Sequence, residues 1–253
     1  MIDELWPGGP LFKEDAGIFR LGTDSVLLAY FVKKARVKRK LRVADLGCGS
    51  GVLSILLAWD EPDLLVDGIE ILSRAACLAS ENAQLCGLGD QINIIEGDLR
   101  NHRCLFQAGA YDLTVSNPPY FMQNSGKRSA NEDIAAARGE EYCTLDDICQ
   151  AAGSLTRWGG SFALVHKPER LTGIFRSLSG AGLEPKRLRF VQYKSTSPPN
   201  LVLIESRRGG NPSLSIEAPL ILANDDGSDT AEVCTIYHRV TTDSDSNGTP
   251  NNK

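Results

Sequence analysis

The residues best suited to chemistry fall into two groups. The first is Asn117-Pro118-Pro119-Tyr120, at the end of an apolar run. Consecutive prolines fix φ and remove two N–H donors, so the carbonyls around them are committed acceptors. Beside them stand an amide and an aromatic ring. That set suits a planar group bearing an NH2. The Asn117 Oδ1 and the Pro118 carbonyl would accept its two hydrogens, Pro119 would stiffen the turn, and Tyr120 would stack on the ring. The plain alternative is a rigid turn capping a strand.

The second group is Asp45-Leu46-Gly47-Cys48-Gly49-Ser50-Gly51, between an apolar run and a helical pattern. Glycines at 47, 49 and 51 permit a tight turn and let backbone amides approach a ligand. The helix behind them would offer free N–H groups and a positive dipole end. The spacing is GxGxG, not GxGxxG, and no Lys-Ser or Lys-Thr follows, so a P-loop and a dinucleotide fingerprint are both excluded. An acid at 45 would repel a pyrophosphate and suits a cationic amino-acid moiety. Glu70 and Asp98 close the next two strand-like runs. The first is placed to accept from ribose hydroxyls and the second from an exocyclic adenine amine. Alone, each would be a solvated strand end. Together they describe a pocket for an adenosine carrying a charged amino acid.

Such a pocket needs strand ends in a row, and the chain supplies them. Apolar strand-like runs at 41–47, 64–70, 92–98, 111–117 and 161–167 alternate with helical patterns at 52–59, 73–87, 145–156 and 169–182. This alternation predicts an α/β fold, a doubly wound, mostly parallel sheet covered on both faces. Two last runs, 187–194 and 200–206, have no helical stretch between them and predict an edge hairpin. Residues 1–40 read as an amino-terminal extension with a helix at 23–34, packing on the ligand site. Residues 41–208 read as the catalytic domain, 209–239 as its appendage, and 240–253 as a disordered tail by composition. The polar stretch 118–143 reads as a long functional loop.

Composition bounds the rest. The chain has 253 residues, 42% hydrophobic and 23% charged, which suits a soluble globular protein. It shows no run long enough for a membrane helix and no secretion signal. Seven cysteines without a CxxC, and three scattered histidines, suggest neither a disulfide framework nor a metal site. A reduced, cytoplasmic, metal-free monomer is the expectation. The net charge of −5 hides a clump, because residues 33–42 hold seven basic side chains and no acid. Phosphate binding depends on such local fields, although a solvated helix end would look the same.

DLGCGSG, Glu70, Asp98 and NPPY together resemble the class I S-adenosylmethionine-dependent methyltransferases that act on the amino group of adenine or glutamine. FRLGTDSVLLA (19–29), NPPYFMQNSG and the later AR with TLDD (137–147) resemble more narrowly the tRNA1(Val) adenine-37 N6-methyltransferase family. That resemblance covers roughly residues 5–237. It implies a seven-stranded Rossmann-like sheet with an edge hairpin. It also implies S-adenosyl-L-methionine as cofactor, a tRNA substrate, and cofactor contacts at Thr23, Asp45, Gly47, Glu70, Asp98 and Asn117. Lys38, Arg39, Lys127, Arg128 and Arg138 are the candidates for RNA phosphates. Rival readings are a protein glutamine N5-methyltransferase, a methyltransferase of another nucleic-acid adenine, and an RNA-binding module with a vestigial pocket. A nicotinamide dehydrogenase fails on the glycine spacing.

Overall fold

A computed structural model describes residues 2–13, 22–34, 41–118 and 143–239. The chain opens with a small hairpin, β1 (Ile2–Glu4) and β2 (Leu11–Lys13), and a helix α1 (Thr23–Lys34). Then come β3 (Leu41–Leu46), α2 (Val52–Ala58), β4 (Leu64–Glu70), α3 (Ser73–Leu85), β5 (Ile92–Glu96), α4 (His102–Leu105) and β6 (Tyr111–Ser116). The second half holds α5 (Leu145–Leu155), β7 (Thr156–His166), α6 (Leu171–Gly180), β8 (Leu183–Gln192) and β9 (Pro199–Arg208). Two dipeptide strands, β10 (Ser215–Ile216) and β11 (Leu220–Ile221), precede the last helix, α7 (Ala231–Ile236).

The sheet runs β8-β9-β7-β6-β3-β4-β5, parallel except for β9, which lies antiparallel between β7 and β8. These are the seven strands and the edge hairpin that the alternation predicts. The appendage adds more than expected, because β10 and β11 both pair parallel to β8 and extend the sheet. Strand residues alternate between two cores, as period-2 geometry requires. Val43, Ala163, Val165, Leu201 and Leu203 join α1 and α2 on one face. Ala44, Phe162, Leu164, Val202 and Ile204 join α5 and α6 on the other.

Three boundaries differ from the pattern reading. β7 starts at Thr156 rather than 161, and its register against β6 slips between Tyr111 and Leu113, where Gly159 takes φ +73. β8 starts at Leu183 rather than 187, directly after Gly182 ends the preceding turn at φ +71; Pro185 sits where the register against β9 is irregular. Pro168 opens a short 3-10 turn, so the helix predicted from 169 begins at Leu171.

The amino-terminal extension is tied down at both ends. Lys13 N donates to Asn82 Oδ1 of α3, while α1 packs on α2, β7 and β9. The carboxy-terminal helix returns to the same region. The Tyr237 hydroxyl lies beside the Thr23 side chain, and Trp6 stacks on His238 with ring centroids 4.5 Å apart. Among the described residues no helix is long and apolar enough to cross a membrane.

Candidate functional site

Four strand ends meet at one edge of the sheet. β3, β4 and β6 are parallel neighbours, so Gly47, Glu70 and Asn117 leave the sheet side by side. The Ser116 hydroxyl donates to the Leu46 carbonyl at 2.8 Å, and this bond pins the start of the NPPY motif beside the glycine turn. A cavity of about 150 Å³ opens there. Gly47, Glu70, Asp98 and Pro118 all line it, together with Ile71, Leu99, Cys143 and Ile148. Two carboxylates and flat apolar flanks, with no cation among the described residues of the wall, suit hydroxyls, amines and an aromatic base.

Each carboxylate on the wall is held in place. Glu70 Oε2 accepts from Gly49 N and its Oε1 from Leu72 N, both at 2.9 Å, which fixes the group across the glycine turn. Asp98 accepts from the Arg100 backbone and guanidinium, and those hydrogen bonds hold its carboxyl below the usual carboxylate range. It is therefore charged and orientated at neutral pH. Gly47 takes φ +74, and the place a Cβ would occupy has no atom of the described residues within 4 Å. Gly51 is constrained twice, by φ +83 and by Ala79 of α3, whose Cβ lies 3.1 Å from where its own Cβ would stand.

The glycine turn works differently from the expectation that its amides face a ligand. Gly47 N and Cys48 N both donate to the Ile69 carbonyl, Gly49 N to Glu70, and Gly51 N to the Cys48 carbonyl. The turn is thus a brace between β3 and β4. The start of α2 is occupied as well. Asp45 accepts from the Ser54 hydroxyl in the first turn of the helix at 2.7 Å. Asp45 lies beneath the turn, 1% exposed, and not on the cavity wall. Burial pushes its carboxyl up to about 7, against the Ser54 bonds, and the nearby Glu70 adds to the rise.

The other sequence-based candidates divide. Asn117 is half-buried and its Nδ2 donates to Ser25 Oγ of α1 at 2.9 Å; its neighbour Pro118, not Asn117 itself, touches the cavity. Thr23 is exposed at the start of α1, beside Tyr237, and does not itself line the cavity. Pro119, Tyr120, Lys127, Arg128 and Arg138 lie outside the described residues, as do Lys38 and Arg39. The flanks of the basic run are described. Lys33 donates to the Trp59 carbonyl, and Arg42 pairs with Asp67 at the start of β3, the end of the sheet away from the cavity. That position sets these two flanking residues apart from the pocket. Among the described residues no group of three or more His, Cys, Asp or Glu is disposed to hold a metal ion.

Sequence reasoning missed four contributors: Ser25, Ser54, Ser116 and Cys143. The serines carried a signal, as hydroxyls inside otherwise apolar runs that must find partners once buried. Cys143 carried none. It reaches the wall because Thr144 and Asp147 form a capping box that starts α5 immediately after it. The TLDD of the family resemblance is therefore a helix start.

A family model described as methyltransferase small domain matches residues 11–141. The tRNA1(Val) (adenine(37)-N6)-methyltransferase of Dickeya chrysanthemi (strain Ech1591) is 32% identical over 233 residues, covering 88% of this chain and 89% of that one. The protein of the same name from Yersinia pseudotuberculosis serotype O:3 (strain YPIII) is 34% identical over 183 residues, covering 68% of each. Among solved structures, a predicted O-methyltransferase from Agrobacterium tumefaciens superposes with a TM-score of 0.70 at 19% identity, covering 85% of this chain and 96% of that one. TrmN from Thermus thermophilus gives 0.54 at 21%, covering 73% and 48%. At those identities the two structures speak for the fold alone.

Proposed function

The chain belongs to the tRNA1(Val) (adenine(37)-N6)-methyltransferase family, and from that premise we propose how its own residues methylate the N6 amine of an adenine in the anticodon loop of a tRNA. It is an S-adenosyl-L-methionine-dependent methyltransferase. The observation that carries the residue assignment is the meeting of Gly47, Glu70, Asp98 and Pro118 on one wall, with Asn117 pinned beside them by Ser116.

The wall fits the cofactor. Its acceptors match ribose hydroxyls at Glu70 and an adenine amine at Asp98, its flanks at Leu99 and Ile148 match a flat base, and the open space over Gly47 admits a close backbone approach. Asp45 would favour the cationic amino-acid end through its charge beneath the turn, with Gly49 and Gly51 shaping that turn and Thr23 closing the site from α1. When bound, the cofactor supplies an electrophilic methyl on its sulfonium.

The protein's task is to make a poor nucleophile attack. The N6 lone pair of adenine is delocalised into the ring. Accepting both N–H bonds at Asn117 Oδ1 and the Pro118 carbonyl holds the nitrogen nearer tetrahedral and localises that pair as positive charge develops. Pro119 keeps the two acceptors rigid, and Tyr120 stacks on the base. A near-attack placement of about 3–3.5 Å supplies several kcal/mol more. Once methylated, the N6 nitrogen is a strong acid and releases one of its protons to water, so no metal or dedicated general base is needed in this scheme. The target must leave its stack, which an anticodon-loop base does at low cost. Lys127, Arg128 and Arg138 follow the motif in sequence and are assigned to phosphates near the target; Lys38 and Arg39 are assigned to a more distant stretch of the same tRNA. Residues 1–40, 41–208, 209–239 and 240–253 act as extension, catalytic domain, appendage and tail. A monomer in the cytoplasm, where tRNA is modified, completes the proposal.

The glutamine reading is not favoured, because relatives matching most of the chain carry a tRNA-adenine name. The test is mass spectrometry of nucleosides from bulk tRNA incubated with labelled cofactor. Wild type should yield labelled N6-methyladenosine. Asn117→Ala should lose it while calorimetry still reports cofactor binding. Full transfer by that variant would refute the assignment.

A further inference from the structure

We propose that Tyr193, with Lys167 and Arg170, forms the track that holds the RNA strand next to the target adenine, Tyr193 stacking on a neighbouring base; this assignment rests on the tRNA reading above. A target base cannot enter the pocket alone. It is tied to neighbours that must lie along the same edge of the sheet. The β3–β4 side of Asn117 is taken up by the cofactor wall. The other side carries β7 and then, across antiparallel β9, β8, which therefore runs parallel to β6 and β7. Asn117, Lys167 and Tyr193 follow the ends of β6, β7 and β8, so all three stand at one edge. At strand spacings of about 4.8 Å, Lys167 lies roughly 5 Å and Tyr193 roughly 14 Å along the sheet from Asn117.

The backbone under Tyr193 is fixed. Its carbonyl accepts from Ala223 N at 2.7 Å, and the turn beyond it is tied by Ser197 N to the Lys194 carbonyl and by Gln192 Nε2 to the Ser197 carbonyl, both at 2.9 Å. The residue itself is nevertheless 56% exposed. An aromatic ring on a held backbone takes a base at little cost in ordering. Lys167 Nζ donates to the Asn200 carbonyl at 3.4 Å, which sets the ammonium between the end of β7 and the start of β9. Arg170 closes the 3-10 turn that follows, and its guanidinium pairs with no carboxylate among the described residues. With Glu169 as the one acid of that turn, the pair leaves it positive, as phosphates require. Lys194 donates to the Asp225 carbonyl with Asp226 near it, and takes no part. A peptide is the poorer fit, because β11 already pairs with Val191 and Gln192 at the end of β8 and leaves no open edge of that strand there.

The test uses an unmodified tRNA1(Val) transcript. Tyr193→Ala should raise its Kd about tenfold, the loss of one stacked base. The fall in kcat/KM should be carried by KM rather than kcat, with cofactor Kd and melting temperature at wild-type values. Tyr193→Phe, which keeps the ring, should bind as wild type does. Salt separates stacking from charge: Tyr193→Ala should keep the wild-type dependence of log Kd on log salt, whereas Lys167→Ala with Arg170→Ala should flatten it by about 0.7 per lost phosphate contact. Ultraviolet crosslinking with peptide mass spectrometry should place a nucleotide on the peptide holding Tyr193. Wild-type affinity in Tyr193→Ala, a loss that Tyr193→Phe shares, an unchanged salt slope in the double variant, or crosslinks confined to other peptides would each overturn the proposal. So would a loss of affinity for a protein acceptor in place of tRNA. If the transcript crosslinks at Tyr193 and no methyl reaches adenine, the track stands and the reading above fails. If transfer proceeds and the variants bind like wild type, the reading stands and the track fails.

Discussion

At the scale of single residues, Asp45 shows how much of a motif's chemistry depends on what folds over it. The acid before the glycines was legible as a feature, and the proposed function gives its charge a positive ligand to favour. Its bond to Ser54 was not legible, because that pairing exists only after the turn brings the first turn of α2 back over the end of β3. The result is a carboxyl raised to about 7 by burial. A carboxyl raised in the folded state binds its proton there first, so it destabilises the fold as pH rises from about 4 to 7. Asp45→Asn should therefore raise the melting temperature at pH 8, by about 2–4 °C per kcal/mol relieved. The gain should shrink as pH falls below 7, and cofactor affinity at pH 8 should drop. Thermal scans from pH 5 to pH 8 check the first part and calorimetry the second. A gain that did not change with pH would rule out titration of Asp45 as its cause.

At the scale of elements, the strands that carry the site were the most readable part of the chain. β3, β4 and β6 are compact apolar runs because parallel strands are buried on both faces, and their last residues fall within one position of where the pattern places them. β7 and β8 begin earlier than the pattern because Gly159, Gly160 and Pro185 interrupt it, and only pairing with neighbours carries a strand through such residues. The glycine turn allows a sharper test. Gly49 and Gly51 both have positive φ, but only Gly51 meets another element where its Cβ would stand. Gly49→Ala should cost about 1–2 kcal/mol, the penalty for a left-handed alanine. Gly51→Ala should cost more, on the order of 1–3 kcal/mol from backbone strain alone, because α3 must also give way. Urea unfolding of the two variants gives the difference; equal midpoints would remove crowding by Ala79 from the account.

At the scale of the whole molecule, the proposal assigns two groups of basic residues to different tasks. The basic clump at 33–42 was legible only as a patch. The folded chain puts its flanks, Lys33 and Arg42, at the opposite end of β3 from the cavity. Lys38→Ala with Arg39→Ala should therefore weaken tRNA binding and flatten its salt dependence by about 0.7–0.9 per lost phosphate contact, leaving kcat unchanged. Lys127→Ala with Arg128→Ala should lower kcat/KM as well. Filter binding across a salt series, with single-turnover rates, distinguishes the two pairs. The appendage matters at this scale too. Arg189, 6% exposed, is clamped by both carboxylate oxygens of Glu232, which docks α7 on the edge hairpin and brings Tyr237 beside Thr23. On a translating ribosome the strands, the pocket and α1 all emerge before that tether exists. A nascent chain halted just short of residue 230 would hold a nearly finished enzyme whose leading helix is still unlatched, and its maturation would wait on the final helical turn.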